Sequence, residues 1–310
     1  MRRTFWFGLV LVLVTGCAQA TDRTSRTSSA GPTTPGGTTS SASTTTTTPS
    51  TGTAATAAPG PTSANPKLPP TAKPSARPTT PRPSATGLTS LRGNTRNAIA
   101  WAPLSNPADV HVEGSVPSYR AWSTSKVLVV AAYLDTVVDG DPSRIPARER
   151  GWIKAALTAS DGDAVVAIRN EIPGRPGPAI DRVLRSIGDT TTSAPDTSQG
   201  SMQWTVRQQL RFMAALHSGR VVSPEASAFL LGQMHPIAAH RWGLGRIGAG
   251  AFKGGWLRAD TETRQMGIVG GYAVAIITAG DGPAVLQTDG DSAHVQQMDR
   301  LAALLASRLR

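Results

Sequence analysis

Ser123 and Lys126 stand three residues apart in Trp122-Ser123-Thr124-Ser125-Lys126, at the head of the apolar run Val127-Leu128-Val129-Val130-Ala131-Ala132-Tyr133-Leu134. On a helix this spacing puts the amine one turn from the hydroxyl on the same face. A neutral amine there can take the hydroxyl's proton and leave a nucleophilic oxygen. The start of a helix adds unpaired backbone N–H groups and the positive end of its dipole, and both favour an oxyanion. From Arg92 onward the chain has 3 Lys (Lys126, Lys154 and Lys253) against 20 Arg. Arginine stays protonated, so a lysine in such a chain marks a place where a titratable amine is useful. The plainer reading of Ser123 taken alone is a helix N-cap.

Two further groups have the right chemistry for acyl transfer. Ser160-Asp161-Gly162 falls at a predicted helix boundary, and Lys253-Gly254-Gly255 falls on a predicted strand followed by Trp256. Ser160-Asp161 could instead simply cap the next helix, and Lys253 could be a surface lysine of a strand. The histidines His111, His217, His235, His240 and His294 show no metal-ligand spacing, and no metal or cofactor is expected. Nothing marks a serine for a Ser-His-Asp triad.

The elements that must position these groups follow from periodicity. Residues 97–104 and 109–114 read as two strands leading into the Ser123 helix. A helical block follows over residues 148–158, 163–170, 178–187, 205–216 and 224–233. Residues 247–255, 265–270 and 272–279 are Gly-punctuated and β-branched, as adjacent antiparallel strands would be. Residues 292–309 close the chain as a helix with Val295, Met298, Leu301, Leu305 and Leu309 on one face. Strands at both ends of the domain with helices between predict an α+β sandwich in which the two ends share one sheet.

The order Ser123-x-x-Lys126, Ser160-Asp161-Gly162, Lys253-Gly254-Gly255 resembles the three motifs of the serine β-lactamase and penicillin-binding protein superfamily. Residues 121–134 look like its nucleophile helix, and residues 184–191 like the segment before the Ω loop of class A β-lactamases. Trp242-Gly243-Leu244 and Lys253-Gly254-Gly255-Trp256-Leu257 also look like a group of actinobacterial lipoproteins called serine hydrolases. The resemblance implies a β-lactamase/transpeptidase-like antiparallel sheet flanked by helices, with a trimmed helical subdomain. It implies Ser123 as nucleophile, Lys126 as base, Ser160 as proton relay and Lys253 as the cation for a substrate carboxylate. Backbone N–H groups of Ser123 and of Gly255 or Trp256 would form an oxyanion hole, with Gly162, Gly254, Gly255 and Trp256 as substrate-binding positions.

The departures matter as much. Gly162 stands where the second motif usually has asparagine, and Gly254 where the third usually has Thr or Ser. No Glu-x-x-Leu-Asn segment follows Asp189, so the deacylating glutamate of class A β-lactamases is missing. Asp189 and Asp196 are the nearby acids that could replace it. The resemblance therefore implies either a serine hydrolase acting on a D-Ala-D-Ala-like peptide or β-lactam, or a silent module of the same fold that binds cell-wall peptidoglycan.

The start of the chain reads as an export signal: Arg2 and Arg3, then the apolar residues 5–14. Ten apolar residues are too few to stay as a membrane span. Val14-Thr15-Gly16-Cys17 resembles a bacterial lipobox, and Cys17 is the single cysteine of the chain. Residues 1–17 are thus expected to be a lipoprotein signal with Cys17 lipidated, holding the protein to the outer face of the cell membrane. Cleavage after Ala20 would instead release it. Residues 18–91 are rich in Thr, Ser, Pro, Ala and Gly and cannot bury enough surface to fold. As a coil this tract spans roughly 50 Å. The net charge of +11 sits mostly ahead of the domain, since residues 1–91 carry 8 Lys/Arg against 1 Asp/Glu. It offers no pattern of basic and stacking residues for nucleic acid. Residues 92–310 are expected to be the folded hydrolase domain, acting as a monomer.

Overall fold

The computed structural model describes residues 87–256, 262–279 and 293–310. The expected signal segment, Cys17 and nearly all of the Thr/Ser/Pro-rich tract lie outside the described residues.

Five strands form one antiparallel sheet in the order β2-β1-β5-β4-β3: β1 (Asn97–Pro103), β2 (His111–Ser115), β3 (Ala251–Trp256), β4 (Glu262–Val269) and β5 (Tyr272–Ala279). The first strand pairs with the last, Asn97 opposite Thr278 and Ala100 opposite Ala275, so the two ends of the domain share the sheet as expected. Side chains alternate across β5 because successive residues of a strand face opposite ways. Ala273, Ala275 and Ile277 enter the larger core with the middle helices. Val274 and Ile276 enter a smaller one with Ile99, Met298, Leu301 and Leu305. Those last three lie on α7 (Ala293–Arg308), the closing helix. Leu91, just ahead of the expected start at Arg92, is buried in that second core.

On the other side of the sheet stand α1 (Lys126–Thr136), α2 (Ala147–Lys154), α3 (Gly162–Asn170), α4 (Pro176–Ser186), α5 (Val206–His217) and α6 (Pro224–Gln233). Every residue of α1 from Lys126 to Leu134 is buried. A helix apolar all round belongs in the middle of a core, and α1 is packed among the others accordingly.

Three local readings are corrected. Ser123 lies in a 3-10 turn, Trp122–Ser125, and α1 begins only at Lys126. The helix expected over 148–158 ends at Lys154 and passes into a single π turn, Ala155–Ala159. The strand expected from residue 247 begins at Ala251, because Ile247 closes a 3-10 turn and Gly248 turns the chain with φ of 80°.

Candidate active site

The 3-10 turn hands Ser123 to α1 through a strained residue: Trp122 has φ of 45°, a conformation costly for a large side chain. The turn is pinned on several sides. Thr124 N–H donates to Ala121 O and Ser125 Oγ to Trp122 O, while Trp122 Nε1 donates to Glu262 Oε2 on β4 at 3.1 Å. Gly255 on β3 presses against it, since a Cβ there would lie 2.9 Å from both Ser123 N and Thr124 N. No side chain fits at that position without moving the turn. Its second residue, Ser123, has no carbonyl three residues back within the turn for its own N–H.

Ser160 reaches the site by a different device. The π turn releases the chain at Ser160, whose φ of 62° reverses its direction before Asp161 caps α3 by accepting from Ala164 N–H at 2.9 Å. Lys253 comes from β3, the edge strand next to the turn.

These four side chains converge. Lys126 Nζ donates to Ser123 Oγ at 2.7 Å and to the Ser160 carbonyl at 2.7 Å, and lies 3.4 Å from Ser160 Oγ. Lys253 Nζ donates to Ser160 Oγ at 2.8 Å and to Gly254 O at 2.8 Å. Burial lowers the Lys126 pKa to about 8, against a smaller opposing pull from the Asp161 carboxylate. Burial, and then the charge of Lys126, hold Lys253 well below the usual lysine value. Two amines in one dry site cannot both stay charged cheaply, so Lys126 reaches its neutral form much nearer pH 7 than a free lysine does.

A cleft of about 270 Å³ opens beside Ser123. It is lined by Trp122, Ser125, Lys126 and Val129, by Gly162, Val165, Val166 and Arg169 of α3, by Ser198-Gln199-Gly200 and by Trp256. Of the sequence-predicted positions, Ser123, Lys126, Gly162 and Trp256 line this cleft. Ser160 and Lys253 join that lining through their contacts with Lys126 and each other, and Gly254 and Gly255 precede Trp256 on β3.

The two glycines that depart from the motifs differ sharply. A Cβ on Gly162 would meet nothing within 4 Å, whereas one on Gly254 would lie 2.9 Å from Trp256 Cζ3. The Trp256 indole is itself held edge-on by His240 at 5.1 Å and tilted against Trp242 at 5.5 Å.

Neither acid proposed as a substitute base serves the site. Asp189 is 0% exposed, and its carboxylate accepts from Thr191 N–H, Thr192 N–H and both threonine hydroxyls. Asp196 is paired with Arg175 at 2.8 Å and accepts from Gly177 N–H, so its pKa is lowered. Both fasten the loop between α4 and α5, the ordinary work of aspartate in turns. Among the described residues no three His, Cys, Asp or Glu gather to hold a metal ion.

Sequence reasoning missed Val165, Val166 and Arg169, which carry no motif and declare themselves only as one face of α3. It also missed Glu262, whose role depends on β4 lying beside the nucleophile turn.

The fold is that of serine β-lactamases and penicillin-binding proteins. A TLA-1 extended-spectrum β-lactamase is similar with a TM-score of 0.54 at 13% identity, over 70% of this chain and 93% of that one. A class A β-lactamase from Mycobacterium abscessus is similar at 0.52 and 15%, over 70% and 94%. PBP-A is similar at 0.52 and 17%, over 72% and 93%. No protein-family model matches the chain, and no curated protein does.

Proposed function

We infer that the protein is a serine hydrolase that forms an acyl-serine intermediate with an amide or ester carbonyl, a D-Ala-D-Ala-like peptide or β-lactam being the substrates the motifs favour. The observation that carries this reading is the 2.7 Å contact between Lys126 Nζ and Ser123 Oγ, with Ser160 Oγ bridging toward both lysines.

In the proposed reaction Lys126 takes the Ser123 proton as Oγ attacks the carbonyl carbon. The N–H groups of Ser123 and Trp256 receive the oxyanion. As the tetrahedral adduct collapses, the proton passes from Lys126 through Ser160 Oγ to the leaving nitrogen or oxygen, and the carbonyl remains bonded to Ser123. Water then attacks the ester, and the acid leaves with Ser123 restored. No carboxylate stands in the cleft wall among the described residues, so this second half is expected to be slow.

The same feature favours the second reading, a silent module that binds peptidoglycan. Intact mass spectrometry of the protein mixed with a penicillin, with Ser123→Ala as control, separates the two. A stable adduct lost in the mutant supports the acyl-serine reading. Absence of any adduct with penicillins and with activated esters overturns it and leaves the module.

Export and lipid attachment at Cys17 belong to the same proposal, placing the domain on the outer face of the cell membrane. Metabolic labelling with an alkynyl fatty acid, lost in Cys17→Ser, is the expected result. Equal labelling of both forms would overturn it.

A further inference from the structure

The two motif glycines redirect the substrate rather than merely weaken its binding. At Gly254 the space for a side chain is held by the Trp256 ring, and Lys253 is 2% exposed with its amine committed to Ser160 Oγ and Gly254 O. The β3 side therefore offers a substrate anion neither a hydroxyl at residue 254 nor an accessible ammonium. At Gly162 the opposite holds, since a Cβ there would meet nothing within 4 Å and the cleft that Ser123 lines is also lined by α3.

That open side has its own chemistry. Gly162, Val165, Val166 and Arg169 follow one another at intervals of three, one and three residues, so they share a single face of α3, and all four line the cleft. Seven residues of helix carry Arg169 about 10 Å beyond Gly162. Val166 is 40% exposed, one of only two large apolar side chains so open among the described residues. Arg169 reaches Asn170 Oδ1 at 3.4 Å and, among the described residues, pairs with no carboxylate. An apolar strip ending in an uncompensated guanidinium suits a chain that is hydrocarbon along its length and anionic at its tip.

Which part of the substrate lies there is fixed by the proton relay. The leaving group must face Ser160 Oγ, which sits between Lys126 Nζ and Lys253 Nζ two residues before α3 begins. The face of α3 that runs from Gly162 to Arg169, away from that hydroxyl, is therefore assigned to the acyl group.

The geometry points to Arg169 as a specificity-determining residue that binds a terminal carboxylate on the acyl group of the substrate, with Val165 and Val166 packing along the chain between. This rests on the acyl-serine reading for which end of the substrate is bound, but not for the binding of the anion itself.

The test uses mono-p-nitrophenyl esters of the linear dicarboxylic acids from glutarate to suberate, each beside its methyl-terminated neutral counterpart. Wild-type protein is expected to favour the longer anionic esters over their neutral partners by about tenfold in kcat/KM. Arg169→Gln should lower kcat/KM for the anionic esters about tenfold more than for their neutral partners and so abolish that preference, and Arg169→Lys should keep part of it. Calorimetric titration of Ser123→Ala with the same free dicarboxylates supplies a readout that needs no turnover, and Ser123→Ala/Arg169→Gln should bind them at least fivefold more weakly. Hydrolysis with no anionic preference, or a preference untouched by Arg169→Gln, overturns the inference and leaves the hydrolase reading standing. Binding through Arg169 without hydrolysis supports the anion site, while the acyl-serine reading stands or falls on the penicillin adduct. Absence of both hydrolysis and binding overturns the inference.

Discussion

The indole of Trp256 occupies the ground that a side chain on residue 254 would need, with 2.9 Å between its Cζ3 and a Cβ built on Gly254. The ring cannot retreat freely, because His240 and Trp242 pack against it. Gly254→Thr, which restores the usual hydroxyl of the third motif, is therefore expected to overpack the site and destabilise the fold by about 1–3 kcal/mol. Adding Trp256→Ala should return most of that loss in a urea titration. If Gly254→Thr alone unfolds at the wild-type midpoint, the ring is not held as described.

Acylation should follow the protonation of Lys126. With its pKa near 8, the neutral base is the minor form at pH 7, so the acylation rate is expected to rise tenfold per pH unit up to about 8 and then level. Asp161 acts on Lys126 through its charge, and its capping of α3 needs only a side-chain oxygen. Asp161→Asn keeps the cap and should move the acid limb to lower pH, read from acylation rates between pH 5 and 9. The stability of the fold runs with the same sign. Unfolded, Lys126 holds its proton up to about 10.4, so between pH 8 and that value the unfolded chain binds a proton that the folded chain has lost. Raising the pH through that window should stabilise the protein, and Lys126→Met should remove this part of the slope.

Much of this is legible in the amino-acid sequence. The three motifs named Ser123, Lys126, Ser160 and Lys253, and those side chains do meet. The last strand, β5, is legible to its ends because it is β-branched and Gly-punctuated, with Gly270-Gly271 before it and Gly280 after it. What periodicity could not give was backbone that leaves regular structure. The φ of 45° at Trp122 and 62° at Ser160 arise from contacts made across the fold, and no local propensity announces them. The hydrogen bonds of Asp189 and Asp196 are hidden from the sequence for the same reason. Proximity in sequence to an expected Ω loop says nothing about which hydrogen bonds a carboxylate finds once the loop is folded.

Asp189 gives that point a direct check. Of its four accepted hydrogen bonds the two from Thr191 are part-buried, and the two from Thr192 N–H and Oγ1 are buried. Asp189→Ala strands those donors and should cost about 1–3 kcal/mol of stability. The lifetime of an acyl-serine adduct, followed by mass spectrometry, should not change. A lengthened lifetime would return Asp189 to the reaction.

Glu262 offers the sharpest test of how the nucleophile is positioned. It accepts from Trp122 Nε1 at 3.1 Å and pairs with Arg264 at 3.4 Å, while touching neither Ser123 nor Lys126. Trp122 is the strained residue immediately before Ser123, and strain of that kind persists only where the surroundings enforce it. Removing the acceptor with Glu262→Ala should let the turn relax and shift Ser123 Oγ away from Lys126 Nζ. A displacement of about 1 Å is enough to slow acylation by ten- to a hundredfold. Glu262→Gln keeps an oxygen for the indole N–H and should restore most of the rate. The midpoint of the pH profile should stay near 8 in both variants, because the burial of Lys126 is unchanged. A purely structural role would instead lower stability in step with activity and show no rescue by glutamine, so parallel unfolding curves decide between the two.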